Sequence, residues 1–534
     1  MHDTYAQMRP GAAPVGQVPR AVAWLLIAPA AVLFLLSYVV PTANLLRRVP
    51  WGDGRLWDLL FNSLHLRIIG YALSFALLPL LILAVAAPAF AWAASRAGQA
   101  GRWVARAVLA LPLAAYAPTG LALIWASERL PGLGDTRTIQ VDARLAMVSM
   151  LGGFVFAVAA TCYLSALRRR EPGGRTGPAV ATVGTLLALV TLAAAVQVYT
   201  FPAVTDGPVL RAAAPPPPMD RLAEGGVRGY PHTALAVLVI LMVLGVATTL
   251  VALRSRLRLE FDPTLASADD RRPAGVRTAA LIGTSVGVVG LLLFIGIQLA
   301  PWLAALATGE TPWPAGFSAR SVLLSTWLFP LGTAIVQVVA AALAAFGITV
   351  GRPIGSASEW LLLAVAPWLL VGNGLLEVAR VAPLERRAEG LDLVAAYVPP
   401  TWLSLPALVV FVVLFRGLTA GWSRSRAAGA PNGFLRAMWP ALPMLVLATG
   451  VTWLVQAQDL LAPTVADRGQ GMIANGQVLA ARTVLPGMLE ADVVRLGYPL
   501  ALLVLFTVGA IAFQVAYLDR LAARVGRAEQ SAAI

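Results

Sequence analysis

Polar side chains are scarce in this chain, and the few that interrupt its apolar runs are where chemistry could be done. Gln197 and Tyr199 stand at the end of one such run, and Gln456, Gln458 and Asp459 at the end of another. Asn373 and Glu377 share a third, followed by Arg380. Amides, a phenol and carboxylates can hydrogen-bond a polar solute crossing an apolar barrier. The same groups can instead bond to one another and hold helices together, typically for about 1 kcal/mol or less each. Both uses stay open. Glu377 and Arg380 are three apart, so on a helix they can pair locally or snorkel to an interface. Gln298 and Gln337 read as packing residues.

No catalytic set stands out. The chain has no G-x-x-x-x-G-K-[ST] phosphate loop, so ATP hydrolysis is not expected of it. His2, His65 and His232 lie far apart in sequence, and Cys162 is the single cysteine. No disulfide, metal or cofactor is expected. Asp53 and Asp58 read as ordinary loop acids.

The cations are all arginine, and the formal net charge is +14. Such a charge could suit nucleic acid, but its distribution points to a membrane instead, and no nucleic-acid partner is expected. Tight clusters occur at Arg168, Arg169 and Arg170, at Arg254, Arg256 and Arg258, and at Arg520, Arg524 and Arg527. They read as topology determinants touching anionic lipid, with partner docking as the alternative.

The elements that must carry these residues follow from hydropathy. The chain has 534 residues, 59% hydrophobic and 12% charged, against about 25% charged in a soluble domain. That predicts an all-α integral membrane protein. Twelve apolar stretches reach the roughly 20 residues needed to cross a bilayer. They run near 21–43, 68–94, 104–126, 144–167, 179–201, 232–253, 276–300, 321–350, 359–379, 394–416, 437–457 and 497–518. Placing both termini in the cytoplasm puts 23 arginines inside and 17 outside. A tail over 1–20, a first six-helix unit over 21–258, a linker over 259–275, a second unit over 276–518 and a tail over 519–534 follow. Trp51, Trp57, Trp302 and Trp313 fall near the expected outer interface, where an aromatic belt would place them.

The two units look alike. Val196 to Gly207 reads V-Q-V-Y-T-F-P-A-V-T-D-G, and Val455 to Gly469 reads V-Q-A-Q-D-L-L-A-P-T-V-A-D-R-G. Pairing the first glutamine of each matches Gln197 with Gln456. Thr119-Gly120-Leu121 after Pro112 has a counterpart in Asn373-Gly374-Leu375 after Pro367. Six spans per unit keep both in one orientation, so this is a parallel repeat with a pseudo-two-fold axis along the membrane normal, and any pathway would lie between the halves.

The opening A-W-L-L-I-A-P-A-A-V-L-F-L-L-S-Y-V-V-P (Ala23 to Pro41), F-N-S-L (Phe61 to Leu64) and W-L-V-Q-A-Q-D-L-L-A-P-T (Trp453 to Thr464) resemble carbohydrate-uptake ABC transporter permeases of the maltose type. The resemblance covers most of the chain diffusely. It implies two fused permease-like halves that take a small polar solute from an extracytoplasmic binding protein and dock separate ATPase subunits. In that family docking uses a Glu-Ala-Ala…Gly…Leu-Pro loop on each half. Here the first half has only Arg168 to Pro178. The second has Arg424, Arg426, Ala427, Ala428 and Gly433 in a stretch that lacks the glutamate. The alternatives are a divergent non-transporting scaffold and a secondary transporter of the major facilitator type. The latter's Asp-Arg-x-Gly-Arg loop signature is not met by Gly98-Gln99-Ala100-Gly101-Arg102.

Overall fold

The computed structural model describes residues 18–52, 54–127, 143–168, 176–205, 216–262, 274–308, 316–381, 400–427, 433–467, 474–483 and 494–526. The protein is an all-helical, multi-pass membrane protein. Among the described residues ten helices are long and apolar enough to cross a bilayer, or twelve when each of two bent pairs counts as one span. Each expected stretch has its counterpart. The spans, numbered 1 to 12 along the chain, are Arg20–Leu46, Ser63–Ala94, Gly98–Ala114 with Pro118–Trp125, Ala143–Leu167, Gly177–Val204, Pro231–Arg254, Gly275–Thr308, Ala319–Gly351, Gly355–Trp368 with Asn373–Arg380, Leu405–Arg424, Phe434–Ala457 and Leu500–Arg520.

Span 10 differs most from expectation. Hydropathy places it over 394–416, of which 394–399 lie outside the described residues, and its helix runs Leu405–Ala427. Hydropathy stopped the span at Arg416, yet that guanidinium is held by the Glu359 carboxylate inside the bundle. A paired arginine therefore lies within the helix rather than marking its end.

Proline shapes several spans. Spans 1, 2 and 8 each contain a turn of π-helix ahead of a proline, at Leu35–Val39, Ile82–Ala86 and Leu324–Leu328. In each case a proline (Pro41, Pro88, Pro330) follows two residues after the turn ends. Proline lacks an N–H and its ring crowds the carbonyl four residues back; widening the preceding turn relieves both problems without breaking the span.

The halves do not pack as two separate bundles. One core gathers spans 2, 3 and 4 together with spans 7 and 12 of the second half. The other gathers spans 8, 9 and 10 together with spans 1 and 6 of the first half. Each half thus lends its first and last span to the other. In hydrocarbon no hydrophobic force selects a partner helix, so close backbone approach decides. At Gly245 on span 6 an added Cβ would lie 2.3 Å from the Ala366 carbonyl of span 9, so only glycine fits that crossing.

The chain beyond spans 6 and 12 is ordered too. Strand β1 (Arg258–Phe261) pairs antiparallel with strand β2 (Leu521–Arg524). Leu259 faces Ala523, and Gly526 N–H donates to Ser255 O at 2.8 Å at one end while Asp262 N–H donates to Arg520 O at 3.1 Å at the other. Strand β1 lies on span 10, where a Cβ at Gly417 would meet the Leu259 carbonyl, and β2 lies on span 4. The start of the expected linker and of the expected C-terminal tail is therefore a clasp. If Ser255 is matched to Asp519, the Leu259–Ala523 pair lies on the two-fold axis. Antiparallel pairing of equivalent strands is what a two-fold along the membrane normal requires.

Candidate functional site

Spans 3 and 9 are both broken, at 77° and 66°. Each break follows a proline-containing helix and leaves a few non-helical residues before the next helix starts, at Pro118 and at Asn373. Spans 5 and 11 are interrupted as well, though neither is among the two sharply bent pairs. The helix Gly177–Val196 ends at Gln197 and a new turn starts at Thr200; the helix Ala441–Ala457 ends at Gln458 and a new turn starts at Leu461. In each half the short helix after the one break packs on the short helix after the other. The four breaks bring irregular backbone into the bundle, where turn hydrogen bonds and side chains take up its polar groups.

The helix ends correct the register of the repeat. Gln197 caps span 5 where Gln458, not Gln456, caps span 11. Pro202 and Pro463 then align, as do Val204 and Val465. Tyr199 falls opposite Leu460 and packs half-buried against the second core.

Gln197 reaches across the halves. Its side-chain NH₂ donates to Leu370 O at 2.9 Å and to Ala193 O at 3.0 Å, and its Oε1 accepts from Gly372 N–H at 2.6 Å. It therefore satisfies the groups that the break in span 9 exposes. Gln456 belongs to a different chain of bonds. Its NH₂ donates to Gln337 Oε1 at 2.8 Å, and its Oε1 accepts from Thr333 Oγ1 at 3.1 Å. Gln337 in turn donates to Thr401 O, and Thr401 Oγ1 donates to Asn373 Oδ1 at 2.7 Å. This seam links spans 8, 9 and 11 and the residues just before span 10. Gln337, read from sequence as packing, is its hub.

The other sequence candidates take structural posts. Gln458 is 2% exposed and donates to Gly497 O at 3.2 Å, an oxygen it shares with the Gln477 side chain. Asp459 accepts from Leu461 N–H at 3.0 Å and caps the short helix that follows. Glu377 forms a bidentate pair with Arg380, at 2.7 and 2.9 Å. Glu377 is 1% exposed, so it does not snorkel to an interface.

Two charged junctions lie where the chain leaves spans 12 and 6. At the first, Asp519 is fully buried and accepts from Arg102 Nε at 2.9 Å, Arg106 Nε at 3.1 Å and Trp103 Nε1 at 3.2 Å. Arg168 adds a contact to the carboxylate and donates to Asp519 O at 2.8 Å. At the second, Arg416 grips Glu359 at 2.7 and 3.1 Å and donates to Leu257 O at 2.7 Å. Beside it Glu260 on β1 pairs with Arg258 at 2.7 Å and Arg424 at 3.0 Å. Burial pushes the Glu260 carboxyl up, but Arg424 and Arg258 outweigh it and hold the group below the usual carboxylate range.

These contacts revise the docking candidates. Arg168 is 8% exposed and Arg424 is tied to Glu260, so both serve the bundle rather than an open surface. Arg168 is not a lipid-facing topology marker either; with Arg102 and Arg106 it gathers round the buried Asp519 carboxylate. Arg426 and Ala427 end the helix of span 10, and Gly433 is the exposed N-cap of a short helix, Phe434–Met438. Arg169, Arg170 and Ala428 lie outside the described residues, as do Asp53 and Trp313. Trp51 and Trp57 are exposed as an aromatic belt requires, whereas Trp302 is wholly buried against Tyr498. His65 and His232, distant in sequence, meet ring to ring with centroids 5.1 Å apart.

Comparison of the chain with protein-family models, with characterised proteins and with solved structures returns no match.

Proposed function

We propose that this protein is a membrane permease that moves a small polar solute by alternating access between its two halves, with energy from a separate ATPase subunit. The observation that carries this reading is the set of four helix breaks, of which those in spans 5 and 9 are tied across the halves by Gln197. Broken helices are tolerated at membrane depth where protein covers them or where they line a water-filled path, and solute sites in transporters are built from such breaks. Gln197 from one half closing on the break of span 9 in the other is a contact that must part if the halves rock. An inner-membrane location with both termini cytoplasmic and an external binding protein belong to the same proposal.

The test is copurification and uptake. Tagged chain from its native host should bring down an ATPase, and deletion should abolish uptake of one polar solute, with carbohydrates screened first. Purification without an ATPase, together with unchanged uptake across the screened solutes, refutes the proposal. A second reading, a non-transporting membrane scaffold, is favoured by a specific observation. Arg168 and Arg424, at the positions where docking loops would start, are spent on internal contacts.

A further inference from the structure

Spans 2, 4 and 7 touch one another, with Phe90 packed on Gly287 and Phe294 near Gly153, but do not fill the space between them. They leave a lateral groove of about 1060 Å³, lined by Phe90, Trp92, Gly153, Phe156, Gly283 and Phe294 among other apolar residues. That is at the top of the range of ligand pockets, roughly 300–1,000 Å³. Its walls carry almost no hydrogen-bonding groups, which excludes the polar solute proposed above. Gly152 and Gly153 on span 4 and Gly283 and Gly287 on span 7 line it, and at Gly287 the Phe90 ring packs where a side chain would stand.

The rim has a different character. The groove runs to the end of the bundle where span 2 finishes at Ala94 and span 7 begins at Gly275, the end that also carries the β1–β2 clasp. There the Arg96 guanidinium lies over the Trp92 ring at 3.7 Å, and Trp92 is itself part of the groove wall. The Arg277 side chain is exposed and packs over Gly98, 3.3 Å from where a Cβ would stand. An apolar slot with two guanidiniums at its mouth matches an amphiphile with an anionic head. We infer that the groove holds the acyl chains of an anionic phospholipid whose phosphate rests on Arg96 and Arg277. Guanidinium suits phosphate by geometry as well as charge, and basic groups at a membrane surface favour anionic lipid. This site is separate from the seam and does not depend on transport.

Native mass spectrometry of the full chain in detergent, titrated with phosphatidylglycerol or phosphatidylcholine, tests the inference. Phosphatidylglycerol should be retained roughly tenfold or more better than phosphatidylcholine. Arg96→Gln with Arg277→Gln should bring the two lipids level. Gly283→Leu should cut retention of both, because a Cβ there meets only Ala93 at an ordinary 3.5 Å and the rest of the side chain enters the groove. Ala89→Leu, at an exposed lining position, is a second filler should the first misfold, with folding followed by size exclusion. Equal retention of the two lipids by the unaltered chain would overturn the anionic assignment. Undiminished phosphatidylglycerol binding in both folded fillers would overturn the groove. A photo-crosslinker at Val286 that captures a polypeptide instead of lipid would show a partner helix there and equally overturn it.

Discussion

The two charged junctions use the same device at nearby points of the repeat, two residues apart in the register of the clasp, and differ in how they balance charge. At the end of span 4 Arg168 binds the carbonyl of Asp519, just past the membrane helix of span 12; on span 10 Arg416 binds the carbonyl of Leu257, just past span 6. Each arginine thereby ties a span of one half to the last span lent by the other. The acids are placed in opposite ways. In the first junction the carboxylate comes from span 12 and faces arginines on span 3; in the second it comes from Glu359 on span 9 and faces Arg416. The first is sealed, with Asp519 and Arg106 fully buried and three guanidiniums around one carboxylate. The second is one to one and keeps 12% and 23% of its side chains exposed. A two-fold repeat thus keeps the device of a joint, an arginine on a carbonyl past the last span, while its exact position shifts and its charges exchange sides.

The sharpest way to break the comparison is Asp519→Asn. The substitution keeps the shape but leaves three guanidiniums in a site without an anion. Removing one partner of a buried ion cluster typically costs about 3–5 kcal/mol. Thermal unfolding in detergent should show the largest loss of any single substitution in the chain. A loss below about 1 kcal/mol would mean that water or a bound anion compensates the cluster. Glu359→Gln should cost less, about 1–2 kcal/mol, because its partners are part-exposed and a neutral acceptor still serves Arg416. Equal effects of the two substitutions would erase the distinction between sealed and open junctions.

Much of this was legible in the sequence, and the reasons for the remainder are physical. All twelve spans were found because the hydrocarbon sets both their length and their polarity. Helix partners were not found, because every apolar face is equally content in lipid and only details such as Gly245 choose among them. The clasp is two four-residue strands more than 250 residues apart, with no turn to announce a hairpin. Arg102 and Arg106 carried a usable signal. Four residues apart, they share one helix face, an odd place for two cations unless an acid meets them. The repeat register was also readable, since Pro202 and Pro463 fix it, but the paired V-Q dipeptides drew the alignment two residues away. Gln337 gave no sign of being a hub, because a lone glutamine in a span looks the same whether it packs or bridges.

A smaller test asks whether bonds between the halves matter more than bonds within one. Gln197→Leu removes three hydrogen bonds, two of them to the break in span 9, and leaves Gly372 N–H without its acceptor. Gln458→Leu removes a single bond to Gly497 O, which keeps its donor from Gln477. Interhelical bonds of this type average about 0.6 kcal/mol and reach roughly 2 kcal/mol. Gln197→Leu should fall near the upper figure and Gln458→Leu near the lower, by unfolding in detergent. The reverse order would place the critical contacts within the second half.

The mildest perturbation is acidification of the clasp. The Glu260 carboxyl has a folded pKa below its ordinary value, so its stabilising contribution is complete above the usual carboxylate range and is lost as pH falls through the lowered folded value. Protection of the backbone amides of β1 and β2 against hydrogen exchange, corrected for the intrinsic rate, should therefore hold from neutral pH down to the ordinary carboxylate pKa and fall below it. Glu260→Gln should lower that protection at neutral pH and flatten its dependence on pH. Protection around Asp519 should not follow Glu260→Gln, since the two junctions share no charged partner in the contacts given above. If both ends of the clasp loosen together in this variant, the ladder transmits strain between the joints, and the two regions behave as one cooperative lock on the halves.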